Sequence, residues 1–530
     1  MPQTRSIHPH PCRNFGMRTI GEILLRNANW WPERDAFVLG DQRRTYRDLY
    51  LRGARLASAL EKRGVVRQDR IGMVSTNSIE HFEFFAAADI AGFIAVPLSF
   101  RAAPPELEYL VVDSGTSILF FEKTLEHLAD SVRQSVKTVR HFVCVGGEAP
   151  DWAEDFETFL ASGDEEGPVS RSEAGDVAYL YYTSGTTGKP KGVPWSHRAM
   201  TICASTSSNH WHTSMLQISP AFHSAGRTPS LGCYWRGGKT VLNSSFDPTA
   251  LLDAVQSERI VSIFLVPTML IQLLDHPRID EYDLSSLRMI MLGGARISTS
   301  LLKRAIARVG EIFYLGYGST EAGAISILPL NEVSLDGDEA ALHRLSSVGH
   351  FEAETDGIIL DEAGNPCAVG VVGEVCIYNC YLFDRYWNND IATIEAFHGN
   401  AFRTGDLGYM DEQGYIFLVD RKKDMVITGG ENVYSREVEE AIDLHSDVRE
   451  SAVIGKPDPY WGEIVLAAVV RNPGTNLTEE ELVAFVRTRI AAYKCPRQVV
   501  FVDELPRQVT GKTDKLALRS LYAGSSGMAA

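Results

Sequence analysis

The sequence predicts an α/β protein. Its large N-terminal domain should hold parallel or mixed sheets covered by helices, plus a small β-barrel-like subdomain. A small, mobile α+β domain should close the C-terminus. Three observations predict this. Residues 45–121 alternate helical and strand patterns in a βαβ rhythm, which requires parallel strands buried under helices. From about Ser346, short alternating strands are broken by Gly-Asn, Asp-Gly and Gly-rich turns, the texture of antiparallel β. From Tyr434 a separate helix–strand–strand–helix–strand pattern begins. A chain of 530 residues is also too long for one core, and about three to four units are expected.

In chain order, Thr45 caps a helix with Asp48 three residues on; Leu49, Gly53, Leu56 and Leu60 share one face, and Gly64 ends it. Arg70–Ser75 reads as a strand, Ile79–Ala91 as a helix, Phe93–Leu98 as a buried strand, Glu106–Asp113 as a helix and Ser117–Phe121 as a strand. The rhythm resumes with strands at Val261–Val266 and Met289–Leu292, a helix at Leu301–Val309 and a strand at Ile312–Leu315. Gly373–Tyr378 and Gly414–Val419 are antiparallel candidates. The last unit reads as helix Ser435–Leu444, strands Glu450–Gly455 and Ile464–Arg471, helix Glu479–Ala492 and strand Gln498–Val502. A boundary is expected near Asp420–Asp424, and Met1–Gly16 reads as a disordered arm.

Composition excludes several classes. A net charge of −17 argues against nucleic acid or an anionic membrane as partner, because both need a basic excess. No run of about 18 apolar residues appears, and the N-terminus lacks an apolar signal core. Eight cysteines lie scattered, mostly in apolar runs. Cys376 and Cys380 have a metal-like spacing but no second Cys/His pair nearby, so they read as strand thiols. Reduced thiols, and a C-terminus without a targeting address, predict a cytoplasmic protein.

The most informative segment is Thr183-Ser184-Gly185-Thr186-Thr187-Gly188-Lys189-Pro190-Lys191-Gly192, directly after the apolar run Val177–Tyr182. Glycines let backbone N–H groups face an anion, and hydroxyls and lysines add donors and charge. The composition suits a clamp on a polyphosphate. It is not a Walker A loop: Gly185 and Gly188 stand too close, and proline follows Lys189. Near the C-terminus, Gly511-Lys512-Thr513 fails the same test, since Pro506 stands where the first glycine is needed.

Four further segments follow in fixed order: Tyr317-Gly318-Ser319-Thr320-Glu321, Arg403–Gly408, Asp420–Asp424 and Gly511-Lys512. With the Gly/Thr loop, this set resembles the adenylate-forming superfamily, in its acyl-CoA synthetase branch, over about residues 20–520. The resemblance implies a two-step reaction. A carboxylic acid attacks the α-phosphorus of ATP with Mg2+ to give an acyl-adenylate and pyrophosphate, and coenzyme A then displaces AMP. It implies that Thr183–Lys189 hold the β- and γ-phosphates, Tyr317 stacks on adenine beside Gly318 and Ser319, and Thr320 donates to the α-phosphate. Glu321 would carry the magnesium, Asp406 the ribose hydroxyls, and Arg421 a further ribose contact. Gly294 and Ala295 join the nucleotide-binding set, and Lys512 is the implied catalytic lysine. Single magnesium carboxylates are chemically sufficient, because Mg2+ keeps water and phosphate oxygens as its other ligands.

The resemblance also implies a hinge at Lys423, between an N-terminal domain of residues 17–422 and a C-terminal domain of residues 424–530. Gly429 and Gly430 would wall a tunnel for the thiol, and Asp458–Glu463 and Tyr493–Arg497 match coenzyme A users. His223, in Pro220–Gly226, stands where amino-acid-activating relatives carry Asp, so it is a pocket candidate; the alternative is a helix-start histidine satisfied by backbone. The acyl pocket is expected among His223–Thr228, Met291–Ile297 and Gly316–Gly323. Arg227 and Arg296 are unusual there. They either meet a polar far end of the substrate or pair with local acids. Fatty, aryl and dicarboxylic acids all stay open. No carrier domain follows Ala530, so free coenzyme A is the expected acceptor. A carrier-loading enzyme or a non-catalytic adenylate-binding relic are the alternatives, and a homodimer is one option for assembly.

Overall fold

The computed structural model describes residues 18–183, 189–209, 213–294, 297, 299–333, 343–508 and 512–522. The expected leading arm lies outside the described residues.

Two large sheets build the N-terminal part. The first has seven strands in the order Glu154–Asp155, His141–Val145, Ile118–Glu122, Arg70–Val74, Ile94–Leu98, Val177–Tyr182, Gly192–Ser196. All neighbours are parallel except the last pair. The second has nine strands, and its central six run parallel: Phe313–Ser319, Met289–Leu292, Ser262–Leu265, Ser214–Gln217, Lys239–Leu242 and Asp35–Leu39. Antiparallel strands close both ends. The strand Ser214–Gln217 has its successor on one side and the next strand on the other. At such a switch point an open α/β sheet forms a ligand crevice beyond its carboxyl ends.

The helix Ile79–Ala91 has the expected bounds. It is buried all round, because it lies in the main core with Phe37, Phe82, Phe85 and Tyr179. Thr45 caps the helix Tyr46–Lys62 in a capping box with Asp48. Its stripe Leu49, Gly53, Leu56 and Leu60 is buried, and a Cβ on Gly53 would stand 2.7 Å from that of Ala86. That close approach explains a glycine inside a helix.

The antiparallel part is a five-stranded sheet of Thr355–Leu360, Gly373–Asn379, Phe397–His398, Ala401–Met410 and Ile416–Arg421. The C-terminal sheet also has five strands, with the long hairpin Val448–Asp458 and Gly462–Arg471 at its heart. Its own core gathers Val438, Ile442, Val453, Val465, Leu482 and Val486.

Several elements differ from the expected bounds, and three differences bear on the domain architecture. The strand expected to end at Leu315 runs to Ser319, because it pairs antiparallel with Gly323–Pro329. The helix from Glu479 stops at Arg487, where the Thr488 hydroxyl donates back to the Phe485 carbonyl at 2.7 Å. A last helix, Lys515–Tyr522, was not anticipated. It closes the domain junction: the Arg519 guanidinium donates to Asp424 at 2.9 Å and to the Lys423 carbonyl at 3.3 Å. Beside it, Asp420 accepts from the Ser435 amide and hydroxyl, and Lys515 reaches Ser435 and Glu439 at 2.7 Å each.

Candidate active site

The Gly/Thr segment is the loop of a hairpin between Val177–Tyr182 and Gly192–Ser196. Thr183 N–H donates to the Lys191 carbonyl at 3.0 Å and closes its base. Ser184, Gly185, Thr186, Thr187 and Gly188 lie outside the described residues. At the loop's return, the Lys189 ammonium sits 5.0 Å from the Tyr109 ring centre, and Lys191 4.2 Å from that of Tyr386. The Tyr386 hydroxyl in turn donates to Glu321 Oε1 at 2.8 Å. The loop base and the expected magnesium carboxylate are therefore physically joined.

Tyr317–Glu321 forms a strand end and tight turn. At Gly318 a Cβ would fall 2.2 Å from the Gly323 carbonyl oxygen, so the two strands meet too closely for any side chain there. Ser319 Oγ accepts from the Ala322 amide at 3.2 Å, and Trp195 Nε1–H donates to the Thr320 carbonyl at 2.9 Å. These bonds fix the backbone beneath the Thr320 and Glu321 side chains.

Asp406 is the hub. It is 7% exposed and lies opposite Arg421 in the pairing of Ala401–Met410 with Ile416–Arg421. Its Oδ1 meets Arg421 Nε at 2.5 Å, and its Oδ2 accepts from the Tyr317 hydroxyl at 2.6 Å. Burial, then the Asp406 charge, pushes the Tyr317 phenol well above its ordinary range, so it stays a donor. Lys512 reaches this cleft from the C-terminal domain. It keeps solvent access, but the surrounding walls desolvate it. Burial and the Arg421 charge lower its pKa, and Asp406 opposes them. Lys512 thus lies within electrostatic reach of the Asp406–Arg421 pair. Gly511 lies outside the described residues.

His223 caps the helix Ser224–Trp235. Its Nε2 is buried with no hydrogen-bond partner, and its ring lies 4.2 Å from that of Phe222. Burial, with the positive charges of Arg101 and Lys512, drives it down to about 4, so it is neutral at physiological pH.

Arg227 follows the second of its two expected readings and pairs with a local acid. It is 1% exposed and pairs with the equally buried Asp89 at 3.0 Å, and with the Tyr179 hydroxyl at 3.0 Å. Its guanidinium also lies 4.9 Å from the Phe85 ring centre. All of this is internal, so Arg227 is not available to a substrate. Ala295 and Arg296 lie outside the described residues. Gly294 is exposed in the left-handed region at φ +80°.

Gly429 and Gly430 form the turn between Val426–Thr428 and Glu431–Val433, both at positive φ. Gly429 N–H donates to the Trp461 carbonyl at 2.8 Å, and Arg497 stacks on Trp461 at 4.0 Å. The three segments expected near the thiol path thus converge on one face. Burial lowers the Lys423 ammonium to about 8. Among the described residues no cluster of three or more metal-ligating side chains occurs. Glu321, with Oε1 fixed by Tyr386, fits a magnesium held otherwise by phosphate and water.

Sequence reasoning missed Tyr386, Trp195, Asp89 and Tyr179. They are single residues in otherwise ordinary elements, and only the fold brings them to the site or beneath it.

Comparison with known proteins agrees with this geometry. The AMP-binding enzyme family profile matches residues 24–387, and that of the AMP-binding enzyme C-terminal domain matches residues 437–512. The chain is 36% identical over 516 residues to a feruloyl-CoA synthase from an Amycolatopsis species, covering 96% of this chain and all of the relative. It is 33% identical to the long-chain-fatty-acid–CoA ligase FadD13 of Mycobacterium tuberculosis, covering 96% and 99% of the two chains. Among solved structures, the amide bond synthetase McbA from Marinactinospora thermotolerans superposes with a TM-score of 0.84 at 31% identity, covering 92% and 97% of the two chains. With the profile covering most of its length and relatives of 33–36% identity spanning nearly all of it, the chain belongs to the AMP-binding enzyme family.

Proposed function

We propose that this protein is an AMP-forming acid–thiol ligase. It activates a carboxylic acid with ATP to an acyl-adenylate and pyrophosphate, then transfers the acyl group to coenzyme A, releasing AMP. The observation that supports this most is the meeting of Lys512, Asp406, Arg421, Tyr317 and His223 around one cleft, with residues from both domains.

In this reading Asp406 and Arg421 position the ribose, and Thr320 and the Gly/Thr loop hold phosphate oxygens. Lys512 offsets charge that builds on the α-phosphate as the carboxylate attacks. Such positioned charge is usually the largest catalytic contribution in phosphoryl chemistry. Magnesium at Glu321 would supply further neutralisation of the polyphosphate. Neutral His223 lines the acid's side of the cleft and offers an unpaired ring nitrogen without bringing a charge into it. Rotation about Lys423 would withdraw Lys512 and bring Gly429 and Gly430 to the thiol path. Free coenzyme A as acceptor and a cytoplasmic setting belong to the same reading. The named substrates of the relatives, ferulate and long-chain fatty acids, keep both aryl and alkyl acids in view.

The test is pyrophosphate exchange with purified protein against a panel of carboxylic acids, followed by addition of coenzyme A. Acid-dependent exchange and then a thioester support the reading. Exchange without a thioester would point to another acceptor, and exchange with no acid would overturn it.

A further inference from the structure

Gln217 ends the switch-point strand Ser214–Gln217, six residues before His223. It is 2% exposed. Its Nε2 donates to the Ser219 carbonyl at 3.5 Å, and its Oε1 has no partner. A buried amide oxygen without a hydrogen bond is costly, and native interiors rarely leave one.

The sheet shows what lies beside Gln217. Parallel register aligns Leu242 with Gln217, Phe264 with Met291, and Met291 with Tyr314. The pairing of Leu216 with Ile263 places Phe264 beside Gln217. Aligned residues point to one face, so these side chains form a row across the sheet. Cys233 packs with Met215, Met289 and Met291 on that face, against Phe264 and Tyr314. The helix that begins at His223 therefore roofs it. One step farther along the strands stand Gly293 and Gly316. A Cβ on Gly293 would lie 3.2 Å from the Phe264 ring, and one on Gly316 3.0 Å from the Met291 sulfur. Ring and thioether occupy the room the glycines leave and make a flat, apolar floor.

We infer that the acyl site takes a planar aryl acid carrying a hydroxyl or N–H donor at the end far from its carboxylate, and that Gln217 Oε1 accepts from that donor. The inference rests on the proposed function and names its substrate class. The aromatic ring lies along Phe264 and Met291, where offset stacking and sulfur–aromatic contact favour a ring over an alkyl chain. The free end of Gln217 is an acceptor, so it selects a donor and not an ether or a second carboxylate. Gln217 is a specificity residue in this scheme and takes no part in adenylation itself.

The experiment measures pyrophosphate exchange by wild type and Gln217→Leu with 4-hydroxycinnamic, cinnamic and dodecanoic acids. Wild type should prefer the hydroxylated acid over cinnamic acid in kcat/KM by on the order of ten- to a hundredfold, the range for one satisfied buried hydrogen bond. Gln217→Leu should lose that preference by losing the hydroxylated acid while keeping cinnamic acid, whose turnover also reports that the variant is folded. Gln217→Met, closer in length, should repeat the pattern. Unchanged preference in a folded variant, or dodecanoic acid as the best wild-type substrate, would overturn the inference. Absence of exchange with every acid would instead overturn the ligase reading on which it stands.

Discussion

Arg227 and Asp89 are each 1% exposed and 3.0 Å apart. Replacing Arg227 by Met keeps much of the volume but removes the guanidinium. Asp89 would then retain only the Tyr179 hydroxyl, at 2.7 Å. Burial already pushes the Asp89 carboxyl up to about 6, against the pull of Arg227. An uncompensated buried charge of this kind costs about 3–5 kcal/mol. The double variant Arg227→Met/Asp89→Leu removes the charge as well as its partner. It should recover most of the loss, because a buried pair and a well-packed apolar pair are often of similar stability. Urea denaturation followed by tryptophan fluorescence reads both midpoints. The acid preference of folded Arg227→Met should match wild type. A single variant within about 1 kcal/mol of wild type, or a double variant no better than the single, would refute the ion-pair reasoning. A changed acid preference would return Arg227 to the substrate pocket.

Buried His197 is driven down to about 4 and accepts from the Ile20 amide through Nδ1, which requires the neutral ring. Its folded pKa lies below the unfolded value, so its contribution is complete above about pH 6.5 and falls as the pH drops toward 4. The urea midpoint advantage of wild type over His197→Asn should shrink by about 2 kcal/mol between pH 7 and 5, and a pH-independent difference would contradict this. Lys423→Pro should fix the backbone at the junction, sparing pyrophosphate exchange and lowering thioester formation; equal loss in both steps would remove the hinge assignment. Gly430→Leu should show the same split, with Gly430→Asn as control because Asn tolerates the positive φ of 85° with less bulk; normal thioester rates in the Leu variant would exclude the tunnel. Tyr386→Phe frees Glu321 Oε1 and should raise the magnesium concentration needed for half-maximal exchange, whereas an unchanged requirement would detach Glu321 from the metal.

Much of the fold was legible because its elements announce themselves locally. Ile79–Ala91 begins after a serine cap and ends at a glycine with φ +79°, and the apolar parallel strands are short runs between turn residues. Pairing information was not local. The extension of Phe313–Ser319 depends on a partner strand that follows it, and that extension makes Tyr317–Glu321 a strand end and turn. Of the residues read from motifs, Tyr317 and Arg421 both bond Asp406, and Lys512 lies within electrostatic reach of Asp406, Arg421 and His223. What the motifs could not convey is the support beneath them. Tyr386 under Glu321, Trp195 on Thr320 and Asp89 against Arg227 are contacts between segments 65, 125 and 138 residues apart. An arginine near a pocket motif looks like a substrate ligand until its buried partner is visible, and Gln217 looks like an ordinary strand residue until its unpaired oxygen is.

The most direct test of the central claim is Lys512→Ala assayed separately in each half-reaction. Lys512 approaches Asp406 and Arg421 from the C-terminal domain, so it should serve adenylation and be withdrawn from thioester formation. Pyrophosphate exchange should fall by about a hundred- to a thousandfold, the usual cost of one transition-state charge partner. Thioester formation from synthetic acyl-adenylate should stay near the wild-type rate. Equal losses in both half-reactions, or undiminished exchange, would contradict the account.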